Sequence, residues 1–341
     1  MAHKKMNLKP KKKRKKIKLL FYLLIIYIGF ACTFYHSLKK HKTISNKEFI
    51  NLLITTGNPN ILKKYKLTSI VNGTMKIIFK IDFTKPYTLL DTSILKYGEK
   101  ITPNEKTVIL EYNDDYSNME ELKKISDYIE DPNKKEISSP LIYIYNSHQL
   151  ENYNNKDLDI YGITPNVLMA SYILKDNLNK LGINTIVEES NMSDILTKHN
   201  WNYSYSYEAS RLLLESIKKK NPTLNYFIDI HRDSVSKDYT TVTINNKQYA
   251  KVLFVIGLEH NNWQKNNELA NKLNNLINDN YKGLSRGILK KEGPNVNGIY
   301  NQDFSPNTIL IEVGGVDNTI EEVYNTLSAL AQIITKYIKE K

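Results

Sequence analysis

The chain has 341 residues, 41% hydrophobic and 25% charged, a balance that excludes a disordered or fibrous protein and allows one or two folded domains with a tail. The formal net charge is +12, but ten cations and no acid fall within the first 18 residues: Lys4, Lys5, Lys9, Lys11, Lys12, Lys13, Arg14, Lys15, Lys16 and Lys18. Without that tract the net charge is only +2, which excludes a basic nucleic-acid surface on the rest of the chain.

An uncharged apolar run, Leu19–Tyr35, follows the basic tract. A spanning helix needs roughly 20 apolar residues, with about 17 as the lower limit. A basic flank before a short apolar core also describes a secretory signal peptide. However, Thr33-Phe34-Tyr35-His36 is too bulky for a small-x-small cleavage site. The expectation is an uncleaved signal anchor over 19–35, in a single-pass protein of the cell membrane. Residues 1–18 form a cytoplasmic tail and everything beyond about residue 40 lies outside. The sole cysteine, Cys32, falls inside this run. It reads as an apolar membrane residue, and with no second cysteine the exported part has no intrachain disulfide to rely on.

Residues 44–135 read as a membrane-proximal α+β region of unknown role. Strands are expected at 75–83 and 107–112 and a helix at 119–128, and Asp131-Pro132-Asn133-Lys134-Lys135 reads as a turn or linker. From 138 to 341 strands and helices alternate. Strands are expected at Leu141–Tyr145, Ile183–Val187, Tyr226–Ile230, Lys251–Ile256 and Ile309–Val313. Helices are expected at Val167–Leu181, ended by Gly182, and at Ser204–Lys219, Gln264–Asn280 and Glu321–Ile338. This order predicts an α/β fold: a mixed, mostly parallel sheet covered by helices on both faces.

Three of the apolar strands run into residues that handle metals or protons. These are Asn146-Ser147-His148-Gln149-Leu150-Glu151, Asp229-Ile230-His231-Arg232-Asp233 and Ile311-Glu312-Val313-Gly314-Gly315. Sites in open α/β sheets form beyond the carboxyl ends of the strands, so a parallel sheet would gather His148, Glu151, His231 and Glu312. Of the seven histidines, only His148 and His231 directly follow apolar strands; His3, His36 and His41 lie in or near the apolar run, and His199 and His260 sit in polar stretches. Two His and one carboxylate form a catalytic zinc set with a position left for water, whose pKa zinc lowers to about 7. Glu312, in an apolar strand that would raise its pKa, suits the general base. Asp229 and Asp233 are alternatives to Glu151 as ligand or, more in keeping with their spacing from His231, partners that orient it. Arg232 would pair with a buried acid or a substrate carboxylate. The stretch Tyr203-Ser204-Tyr205-Ser206-Tyr207 either lines a glycan or peptide groove or packs a helix.

The runs Ile144–Tyr153, Ile228–Ser234, Asn297–Asp303 and Leu310–Asn318, with the Tyr- and Ser-rich helix start at Asn202–Arg211, resemble the stage II sporulation protein P family over roughly residues 140–335. That family stands with zinc-dependent N-acetylmuramoyl-L-alanine amidases. One departure is Ser147-His148-Gln149-Leu150-Glu151, where the family commonly has Thr-His-Thr-x-Glu. The resemblance implies a zinc amidase-like fold with zinc on His148, Glu151 and His231, and with Glu312 and Arg232 as catalytic residues. It implies cleavage of the amide between N-acetylmuramic acid and L-alanine of the stem peptide, and of peptide cross-links, during engulfment. A lytic transglycosylase and a membrane protein are the partners it implies, with peptidoglycan as substrate. Two rival readings remain: a zinc endopeptidase acting on cross-links only, and a non-catalytic, membrane-tethered wall-binding scaffold.

Overall fold

The computed structural model describes residues 21–29, 32, 45–58, 128–155, 158–159 and 162–340. The chain divides into two compact units. The first comprises 1–43, 65–103 and 160–162. Within it residues 21–29 are helical, and Phe21, Tyr22, Ile25 and Ile26 are exposed. Among the described residues no helix is long and apolar enough to cross a membrane. The remainder of the expected anchor other than Cys32, the basic tract 1–18, the expected strands at 75–83 and 107–112, and nearly all of the expected helix 119–128 lie outside the described residues.

The second unit holds the sheet. Its strands are β1 (Ile142–Tyr145), β2 (Thr185–Val187), β3 (Tyr226–Asp233), β4 (Thr241–Ile244), β5 (Lys247–Ala250), β6 (Val252–Gly257), β7 (Ser285–Lys291) and β8 (Thr308–Gly315). Its helices are α1 (Asn46–Thr56), α2 (Val167–Lys180), α3 (Met192–Lys198), α4 (Ser206–Lys220), the single turn α5 (Lys237–Thr240), α6 (Trp263–Asn280) and α7 (Ile320–Lys339). Six strands form one sheet in the order β2-β1-β3-β8-β6-β7, and β4 and β5 make a separate hairpin. Within the large sheet only β6 against β8 is antiparallel. The expected mixed, mostly parallel sheet is therefore present.

Both faces are covered, which is why β1 and β6 are unbroken apolar runs buried at every residue. On one face Tyr143 and Tyr145 of β1 and Phe227 of β3 pack with Leu214 and Ile217 of α4. On the other, Ser171 of α2 hydrogen-bonds Asn146, and Tyr226 meets Tyr337 of α7 edge to face at 6.2 Å. Helix α1 and residues 129–131, ahead of β1, are tied to the same body. Lys180 donates to the Ile54 carbonyl at 3.0 Å, Tyr172 donates to the Ile129 carbonyl at 2.9 Å, and buried Lys175 pairs with buried Asp131. The expected turn does form at Pro132-Asn133, but this ion pair fastens it to α2.

Several elements differ from what the sequence led one to expect, helices α1 and α3 among them. The β4–β5 hairpin turns on Asn245 and Asn246, both left-handed (φ 48° and 62°), a two-residue turn that suits the twist of its strands. Strand β7 is polar, as an edge strand can be. Strand β3 continues past Ile230 to Asp233, and this extension carries His231 into the sheet opposite Glu312 of β8.

Candidate metal centre

His231 and Glu312 are register partners on adjacent parallel strands, so their side chains rise from the same face near the strands' carboxyl ends. The loop after β1 brings the third and fourth groups. Asn146 fixes its start, donating at 2.6 Å to the Ile230 carbonyl. Ser147 then bonds Asp229 twice, from its backbone N–H to Oδ1 (3.0 Å) and from its hydroxyl to Oδ2 (2.6 Å). With its first two residues so anchored, the loop turns His148 and Glu151 inward, and both are buried.

Glu151 Oε1 lies 3.5 Å from His148 Nδ1 and 3.5 Å from His231 Nδ1. One ligand atom from each of the three residues falls within 4.8 Å of the others. A four-coordinate ion with bonds of about 2.1 Å holds its ligand atoms about 3.4 Å apart, so the two carboxylate–imidazole spacings already match. The other side of His231 is occupied: Nε2 sits 3.1 Å from Asp229 Oδ1 and 2.9 Å from the Ser147 hydroxyl. That contact leaves Nδ1 to face Glu151 and sets the imidazole's orientation, as a carboxylate behind a ligating histidine usually does. Glu151 Oε2 accepts from the Arg232 backbone N–H at 2.9 Å. Two imidazole nitrogens and a carboxylate oxygen, buried and braced from behind, fit a divalent metal ion.

The ionisation of these groups follows from their crowding. Burial pushes Glu151 up, but His231, His148 and Arg232 outweigh it and hold its carboxyl well below the usual range. His231 is desolvated, yet Asp229 and Glu151 raise its pKa well above normal. Glu312 moves the other way. Burial pushes it up to about 8, against the opposing pull of His231. Its Oε2 is enclosed and has no hydrogen-bond partner among the described residues.

Of the residues named from sequence, His148, Glu151, His231 and Glu312 come together. Asp229 stands behind His231. Asp233 is engaged elsewhere: its Oδ2 pairs with Arg286 at 2.6 Å and its Oδ1 accepts from the Ser234 and Val235 N–H groups. Arg232 serves Glu151 through its backbone, and its Nε donates to the Asn152 carbonyl at 3.1 Å. The glycines after Glu312 allow this closeness. Gly314 is left-handed (φ 72°), and a Cβ on Gly315 would stand 2.6 Å from the Val235 carbonyl oxygen. Two residues of the Tyr203–Tyr207 stretch, which the sequence left open between groove and packing, line the group: Tyr203 stacks on His148 at 5.4 Å, and Tyr207 lies against both histidines.

A mostly parallel α/β sheet with a buried His–Glu–His group at its carboxyl edge defines an α/β protein with a candidate metal centre. Comparison with known proteins gives that class a family. Residues 91–335 match the family described as Stage II sporulation protein P. Stage II sporulation protein P of Bacillus subtilis (strain 168) is 36% identical over 202 residues, 58% of this chain and 50% of that protein. The chain thus spans about half the length of the curated relative it matches. It belongs to the stage II sporulation protein P family, and that membership gives it a role in sporulation. Among solved structures, Cwp6 from Clostridium difficile covers 58% of this chain and 29% of its own, at 13% identity and a TM-score of 0.37, too distant a likeness to bear on function.

Proposed function

We propose that the protein is a membrane-anchored peptidoglycan hydrolase that cleaves the muramoyl–L-alanine amide, and peptide cross-links as well, with zinc held by His148, Glu151 and His231. The observation that carries this reading is the pairing of that buried group with Glu312, whose Oε2 is enclosed beside it without a partner. When bound, zinc supplies Lewis acidity, activating water near neutral pH and polarising an amide carbonyl. Glu312 is the base. A carboxyl with a pKa near the working pH can take the proton of the attacking water and return it to the departing nitrogen. Asp229 and Ser147 hold the His231 ring, and the Arg232 backbone N–H holds Glu151. Family membership supports the choice of wall substrate. The apolar helix at 21–29, exposed at all but Leu24 and preceded by ten cations, supports an anchor with the sheet domain outside. A lytic transglycosylase and a membrane protein as partners follow from the family resemblance alone.

The test is mass analysis of purified peptidoglycan digested by the zinc-loaded chain. An amidase frees whole stem peptides from glycan. A cross-link endopeptidase separates stems that stay attached to muramic acid. A scaffold releases nothing and binds the wall equally well after chelation. Absence of free stems at full zinc occupancy would refute the amidase reading.

A further inference from the structure

Tyr207, in the first turn of α4, leans over both candidate ligands. Its ring centroid is 5.2 Å from that of His148 and 6.4 Å from that of His231, nearly parallel to the latter at 14°. Behind it the ring of Tyr300 stands edge-on at 5.4 Å. Tyr300 and Asn301 are consecutive left-handed residues, φ 53° and 56°, without glycine's freedom. Such strain persists only where surrounding contacts over-determine it, and it gathers at functional sites. Here both strained residues act on Tyr207. Tyr300 backs its ring, and Asn301 Nδ2 donates to its carbonyl at 3.0 Å and to the Ser210 hydroxyl at 2.9 Å. Neighbouring bonds lock the loop: the Tyr300 N–H donates to Asn297 Oδ1 at 2.6 Å, and Gln302 is bonded at both ends of its amide.

For all this positioning, the Tyr207 hydroxyl has no hydrogen-bond partner among the described residues, whereas Tyr143, Tyr172 and Tyr203 each use theirs. Tyr145 and Tyr153 also lack hydroxyl partners, but both are about 1% exposed and out of a substrate's reach. Tyr207 is only half-buried. A phenol is a neutral donor at physiological pH.

We infer that Tyr207 is a further catalytic residue, its O–H donating a hydrogen bond to the carbonyl oxygen of the scissile amide as negative charge builds there. The phenol keeps its proton throughout, and Glu312 handles the transferred one. This assignment rests on the hydrolase reading above. The test compares the zinc-loaded full chain with Tyr207→Phe and Tyr207→Ala on a soluble muropeptide that carries the muramoyl–alanine amide, with zinc per chain measured for each. Tyr207→Phe keeps the ring against both histidines. It should lower kcat on the order of 10²-fold, as loss of one oxyanion donor does, with KM little changed and zinc content equal to wild type. A Phe variant as active as wild type overturns the assignment. So does one that loses zinc in proportion to activity, since Tyr207 would then only support the ligands. If the wild-type chain itself, fully loaded, releases no product, the hydrolase reading fails and this one with it. An active wild type matched by its Phe variant removes Tyr207 alone.

Discussion

Gln302 and Glu312 are polar side chains that both border β6, and they meet opposite fates. Gln302 is fully buried and satisfied at both ends: Nε2 donates to the Val255 carbonyl at 2.7 Å, and Oε1 accepts from the Gly257 N–H at 3.0 Å. It ties the strained 297–303 loop to the sheet. Glu312 leaves Oε2 enclosed with no partner among the described residues and carries a pKa raised to about 8. Buried polar groups are bonded as a rule, and an unbonded carboxyl costs stability. The contrast separates polarity that builds the fold from polarity kept open for chemistry, because the unsatisfied group is the one that faces the His–Glu–His cluster.

Substitutions that treat the two side chains alike should have unlike effects. Glu312→Gln preserves shape and removes the base. Stem-peptide release should drop by about 10²–10⁴-fold, while elemental analysis still finds wild-type zinc. Turnover near wild type would remove Glu312 from the mechanism. Gln302→Ala strands a buried N–H and a buried carbonyl, at about 1–3 kcal/mol each. Denaturant unfolding should register that loss, and His148, Glu151 and His231 should still bind zinc. A variant of unchanged stability would show that Gln302 is no clamp. A smaller effect is expected behind His231. Asp229→Asn should weaken zinc binding about 10–100-fold by competition titration, the usual cost of losing a carboxylate behind a ligand. Unchanged affinity would mean that Ser147 alone orients the ring.

The same contrast explains what could be read in the sequence. The strands carrying His231 and Glu312 are apolar because they are buried on both faces, so their order and the residues at their ends were legible. Strand β7, Ser-Arg-Gly-Ile-Leu-Lys-Lys with Gly287 at φ 95°, lacks that signature because it lies at the sheet edge. The hairpin could have been found from Asn245-Asn246, a pair suited to left-handed turns. Seeing Glu151 rather than Asp233 as the candidate third ligand needed the structure, since only there does Arg286 take up Asp233. Tyr203 and Tyr207 were equally open between groove and packing. Their neighbours Ser204 and Tyr205 are exposed, and that Tyr203 and Tyr207 both meet His148 depends on where α4 and the turn before it cross the sheet.

The smallest expected effect is one of pH, and it tests whether the open carboxyl carries a stability cost. In the metal-free protein the Glu312 carboxyl keeps its proton up to about pH 8, whereas in the unfolded chain it ionises near its usual 4.5. Between those values the folded state binds the extra proton, so stability must fall as pH rises. Below about 4.5 both states are protonated and the penalty vanishes; above about 8 it is fully developed. Glu312→Gln has nothing to ionise and escapes the slope. The melting temperature of this variant relative to wild type, both stripped of metal, should therefore climb steadily from pH 5 to pH 8. His231, whose raised pKa gives it a slope of the same sign, is present in both proteins and largely cancels in the difference. A difference that stays flat over that range would mean that the enclosed Oε2 is stabilised in its charged form, and the contrast with Gln302 would lose its energetic basis.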